Sequence, residues 1–126
     1  MLVEIQKAIF GKLSQASPGL GCSVYGALAP QNAAVPYVTI GNITMARDDT
    51  FTIVGVNSTV TIHIWGTSLL IVMQILDRVK EILHDAVLTI DDNNAAGCLF
   101  EESSVFPDED EKIRHGVLVF RIWAHA

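Results

Sequence analysis

Basic residues are scarce. Eight Lys and Arg stand against fourteen Asp and Glu, a formal charge of −6 over 126 residues. A protein that grips nucleic acid through its phosphates needs clustered cations, and these eight are scattered. Cysteine is scarcer still. Cys22 and Cys98 are too few for a disulfide framework and do not have the spacing of a zinc knuckle. They read as small apolar residues, and a reducing compartment opposes their pairing. No apolar run reaches the roughly 18 residues of a membrane span, so no membrane partner is expected. The opening MLVEIQKAIF sets Glu4 and Lys7 inside the apolar pattern. A signal peptide keeps its charge ahead of an unbroken apolar core, so the expectation is folding in a cytoplasm. No glycine-rich phosphate loop, CxxC, HExxH or GxSxG occurs. His63, His84, His115 and His125 are never three or four residues apart, and Ser68, Ser103 and Ser104 have no adjacent base. The residues therefore predict no enzyme, no metal and no cofactor.

What is present suits one domain, residues 1–126, half of them apolar. Leu2, Ile5, Ile9 and Leu13 recur at spacings of three and four, predicting a helix over 2–16 that Ser17-Pro18-Gly19 ends. Cys22–Tyr25 fits a short strand. In APQNAAVPYVTIG, Pro36 lacks a backbone N–H and suits the mouth of a strand rather than its middle. Strands are predicted over Tyr37–Met45 and, by the alternation of Val60, Ile62 and Ile64, over 59–65. Together they make a long hairpin with an extended tip. Ser68 offers an N-cap to a helix over 69–85, with Leu69, Val72, Met73, Leu76, Val79, Ile82 and Leu83 as its apolar stripe. Asp91-Asp92-Asn93-Asn94 reads as a turn and 97–106 as a strand. In the closing HGVLVFRIWAHA, burying an unpaired Arg121 costs several kcal/mol, whereas burying Phe120 gains roughly 1.5–3 kcal/mol. Leu118, Phe120 and Ile122 therefore make the core face. HIWGT and RIWAH echo each other and are candidates for neighbouring positions. The predicted fold is α+β: an antiparallel sheet of about four to five strands with both helices on one face.

Two stretches are candidates for contact rather than chemistry. Phe51, Ile53, Val54 and Val56 lie in the outer part of the hairpin, next to Arg47, Asp48 and Asp49. Apolar strand near a loop tip is an aggregation hazard unless covered. Either it folds back on its own sheet or a neighbouring subunit covers it. The second stretch is Asp108, Glu109, Asp110 and Glu111, followed by Arg114. Paired carboxylates serve glycoside hydrolysis or bind calcium, but the spacing is not that of an EF-hand loop, and the run reads as a solvated loop.

Several segments, taken in order, carry a resemblance: EIQKAIFGKL, VYGALAPQNAAVPYVTIG with its Pro-x5-Pro-Tyr, STVTIHIWGTS leading into VMQILDRVKEIL, and the final GVLVFRIWAHA. Over nearly the whole chain the sequence resembles the tail-completion or tail-terminator proteins of long-tailed bacteriophages and phage-like gene transfer particles. The acidic FPDEDEKIRH departs from the shorter polar link usual there. The resemblance implies a structural subunit of the virion at the tail–neck junction. Such subunits form a homo-oligomeric ring, commonly a hexamer, that caps the major tail tube protein and docks to neck or head-completion proteins. DNA passes through its lumen without specific binding. Asp108–Glu111 then either line that lumen or pair with Arg47 or Arg114 of a neighbour. The alternatives are a head-to-tail connector on the capsid side and a small α+β ligand-binding domain or enzyme.

Overall fold

The computed structural model describes residues 2–26, 28–47, 55–90, 95–107 and 112–125. Its elements are α1 (Leu2–Gln15), α2 (Ser17–Leu20), β1 (Ser23–Tyr25), β2 (Tyr37–Arg47), β3 (Gly55–Gly66), α3 (Leu69–Leu83), β4 (Val87–Thr89), β5 (Ala95–Pro107) and β6 (Arg114–His125). One sheet holds all six strands, in the order β1-β2-β3-β6-β5-β4. The class is α+β as expected, but the sheet differs from the expected four to five antiparallel strands. β1 runs parallel to β2 at one edge, and the three-residue β4 closes the other. The short strand expected at Cys22–Tyr25 is β1, but neither its direction nor β4 has a local signature. A three-residue strand is too short to show alternation, and a strand's pattern does not name its partner's direction. The Ser17-Pro18-Gly19 stop is also more than a stop: after Gln15 the chain makes the separate turn α2, whose Leu20 is buried.

The core lies between the sheet and the helices. β2 contributes Val38 and Ile40, β3 contributes Val60, Ile62 and Ile64, and β6 contributes Leu118, Phe120 and Ile122, the face predicted for it. Helix α1 brings Ile5, Ile9 and Leu13, and α3 brings Val72, Ile75, Leu76, Val79 and Leu83. Helix α3 packs over the middle of the sheet, on β3, β6 and β5. Helix α1 touches β1 and β2 at one edge and β4 at the other. A flat six-stranded sheet would hold its edges about 24 Å apart, too far for one helix about 10 Å wide. The sheet is therefore curled, and α1 fills the trough between its edges.

Three polar contacts fix the helices. Arg78 Nη1 donates to the Leu20 carbonyl at 2.9 Å, tying α3 to α2. Gln6 Nε2 donates to the Gly26 carbonyl at 2.9 Å, just past β1. His84, at the C-terminal end of α3, accepts the Phe100 N–H on Nδ1 at 3.0 Å and so binds that end to β5. Cys22 and Cys98 are both free thiols, and burial pushes the Cys98 thiol up to about 12, so it stays protonated.

Truncating the α1 wedge tests this account. Ile9→Ala removes a fully buried side chain from between the two sheet edges. It should cost about 2–5 kcal/mol of unfolding free energy, read by urea denaturation. Lys7→Ala, on the outward side of α1, should stay within about 0.5 kcal/mol of the parent.

Candidate assembly surface

The sheet's two ends differ. At one end, on the face away from the helices, a row of rings crosses five strands. The register sets Tyr37 of β2 beside Trp65 of β3, Trp65 beside His115 of β6, and His115 beside Phe106 of β5. Tyr25 of β1 meets Tyr37 edge-on, with ring centres 5.8 Å apart. Trp65 stacks on His115 at 3.8 Å with the planes 14° apart, and Phe106 lies 4.8 Å from His115. Alternation puts these rings opposite Ile64 and its neighbours. Tyr25, Tyr37 and Trp65 are half-buried, His115 is buried among them, and Phe106 is exposed.

His63 sits one pleat further in. Its Nδ1 lies 2.8 Å from His115 Nε2. One of the two nitrogens carries the hydrogen and the other accepts it, so the bond is lost when both rings are cationic. Burial holds His63 below the ordinary histidine pKa. Gly41 makes its place: a Cβ there would stand 2.5 Å from His63 Nε2, well inside contact distance.

Helix α3 starts at this same end. Its first five residues, LLIVM, are apolar in every direction, and the fold buries only Val72 among them. A Cβ on Gly66 would come within 2.9 Å of Val72 Cγ2, so the bare glycine lets the helix start close to the sheet. Ser68 caps it as expected, accepting the Ile71 N–H at 3.4 Å. Leu69, Leu70, Ile71 and Met73 are left facing solvent, with Leu70 64% exposed. Leu69 and Met73 were expected in the core stripe, whereas Ile75 takes that role. Where every residue is apolar, periodicity cannot say which side is buried.

The residues singled out in the sequence fall elsewhere. Arg47 ends β2 and pairs with Val56 of β3, at the far end of the sheet from the ring row. Val56 is half-buried. Arg114 starts β6 beside Gly66 and Pro107, at the ring end. Arg47 and Arg114 are therefore not brought together within one chain. Asp48, Asp49, Phe51, Ile53, Val54, Asp108, Glu109, Asp110 and Glu111 lie outside the described residues, as does the predicted turn over 91–94. The two Ile-Trp echoes are separated rather than neighbouring. β3 and β6 are antiparallel, so Trp65 lies opposite His115 and Trp123 opposite Asn57 at the other end. Among the described residues, no group of three or more His, Cys, Asp or Glu could hold a metal ion.

Residues 7–125 match the family model described as tail completion protein gp17. Among solved structures, a chain from the virion of a native gene transfer agent particle matches with a TM-score of 0.77. The two chains are 20% identical, with 96% of this chain and 94% of that one covered, a likeness of fold. No curated protein sequence matches.

The histidine pair makes stability depend on pH. His63 has a depressed pKa in the folded chain, so its contribution is complete above the unfolded value near 6.5 and is lost as pH falls. Thermal melts should show Tm dropping between about pH 7.5 and 5.5, and His63→Gln should flatten that drop. An equal drop in both proteins would place the effect elsewhere. Gly41→Ala should displace the His63 ring and lower Tm at every pH, read in the same melts.

Proposed function

Because the chain belongs to the tail completion protein gp17 family, we propose that it is a structural tail protein that closes the head-proximal end of a tail tube as a ring of identical subunits. The family match over residues 7–125 carries this reading. The mechanism is binding. A head-to-tail interface closes when its rotation closes, and the resemblance to tail-completion proteins makes six copies the expected number. One face of the ring seats on the last tube subunits and ends their addition, and the other receives the neck proteins below the head.

Two observations support the ring. The sheet end that bears Trp65, His115 and Phe106 also carries the exposed Leu69, Leu70, Ile71 and Met73. These give one axial face an apolar contact surface of the kind partners cover. The net charge of −6 suits a lumen that passes DNA, because attraction to phosphate is what makes basic proteins hold it. Asp108–Glu111 belong to this proposal, lining the lumen or pairing with Arg47 or Arg114 of the next subunit.

Removing the chain from the parent particle tests the function. Electron microscopy should show filled heads beside unattached tails of uncontrolled length. Tails of normal length that fail to join heads would move the protein to the capsid-side neck, and normal virions would sink both structural roles. Leu70→Glu is the sharper probe. At a site this exposed it should change stability by less than about 0.5 kcal/mol yet block the joining of heads to tails, scored by complementation.

A further inference from the structure

Among the described residues, each edge of the sheet is covered at one end only. β1 covers β2 along Tyr37–Thr39. Among the described residues, no strand pairs with the outer side of β2 from Gly41 to Arg47. At the other edge, β4 covers Ala95–Gly97 of β5. The Asp85 N–H then reaches the Cys98 carbonyl at 2.8 Å, and His84 takes the Phe100 N–H. Beyond them Glu101–Pro107 again has no described strand on its outer side. The two open stretches are seven residues each.

Their backbones are poised to pair. Peptide groups along a strand point alternately to its two neighbours. Cys98 and Phe100 point outward, since Asp85 and His84 meet them there. The register carried past the bulge at Phe100/Glu102 then turns Ser103 and Val105 outward as well. On β2, the Thr44 carbonyl accepts from Ser58 Oγ of β3 at 2.6 Å and so points inward, which turns Ile43 and Met45 outward. The strands β2, β3, β6 and β5 alternate in direction. A second copy placed beside the first by rotation therefore brings its β2 antiparallel to this β5.

We propose that the open edge of β2 pairs with the open edge of β5 in a second copy of this chain, with Ile43 opposite Val105 and Met45 opposite Ser103. This rests on the ring proposed above and names its subunit contact. In this register outward backbone groups meet outward ones. The half-buried Ile43 and Val105 share the helix-side face. The stagger also fits a closed ring. Thr44 lies in one row with Leu99, and Ser104 in one row with Thr39, an offset of five residues across the four strands. That is about 17 Å along the strands for about 19 Å of width. The corresponding inclination, about 40°, lies in the range by which closed barrels tilt their strands.

Cross-linking tests it. Thr44 and Ser104 would face each other as a non-hydrogen-bonded pair, whose close Cα atoms suit a disulfide. With Cys22 replaced by Ser, Thr44→Cys/Ser104→Cys should give a ladder of covalent multimers on mild oxidation, in purified protein and in assembled particles. Either single variant should give none. Native mass spectrometry of the same samples reads the ring independently. An intact ring without a ladder would overturn the edge pairing and leave the ring standing, whereas a monomer with no ladder, present once per particle, would overturn both. Self-cross-linking of Thr44→Cys alone would replace this contact with a symmetric one, and a ladder from Thr44→Cys/Glu102→Cys would overturn the register.

Discussion

Ile5, Ile9 and Leu13 of α1 are wedged between the two edges of a single sheet, and the rest of the architecture follows from that packing. Each of the three is fully buried, and burying a side chain of this size is worth roughly 1.5–3 kcal/mol. The gain is available only if both β1–β2 and β4 bend toward the helix. The curl is thus coupled to core formation rather than added to it. It also explains why strands as short as β1 and β4 hold. Three residues pair weakly, but Leu88 of β4 is buried in the same core and β1 lies against α1.

The curl leaves a specific problem. β1 and β4 cover diagonally opposite stretches, so among the described residues each long neighbour keeps half of its edge unpaired. Open edges are ordinarily blunted by charge, proline or a bulge. Both stretches carry such features, a bulge at Ile40/Ile43 with Arg47 on β2, and a bulge at Phe100/Glu102 with Glu101, Glu102 and Pro107 on β5, which oppose indiscriminate pairing. A subunit of the proposed ring has a use for both edges, because a head-to-tail contact needs two unlike surfaces on each copy.

Where one face of an element is polar, the sequence could be read directly. The α1 stripe and the inward Leu118, Phe120 and Ile122 were legible because charged neighbours mark the other side. The start of α3 was not, because LLIVM offers no polar face. The sheet's extent was missed in part. The short strand expected at Cys22–Tyr25 is β1, but nothing local marks its parallel pairing with β2, and the three residues of β4 carry no period. The ring row was half visible. The alternation of Val60, Ile62 and Ile64 left His63 and Trp65 together on the other face of their strand, but only the register of β3 with β6 and of β6 with β5 brings His115 between Trp65 and Phe106. The emphasis on Phe51, Ile53 and Val54 came from composition, and composition does not distinguish an exposed apolar stretch from a covered one.

A ring that ends polymerisation cannot have two equivalent axial faces, since a face that accepts a tube subunit on both sides would let the tube continue. The polarity needed is present in one chain. All long strands span the sheet from end to end, so in the proposed ring whatever marks an end would be repeated on one face. One end carries Tyr37, Trp65, His115 and Phe106 with the apolar start of α3 beside them; the other carries Arg47, Val56 and the half-exposed Trp123. With strands inclined at about 40° as the proposed ring requires, the edge contact and the two end surfaces would occupy different parts of the molecule, and subunit closure and partner docking would not compete for the same residues. A ring assembled through β2 and β5 would present its apolar end complete, in every copy at once, to whichever partner it meets.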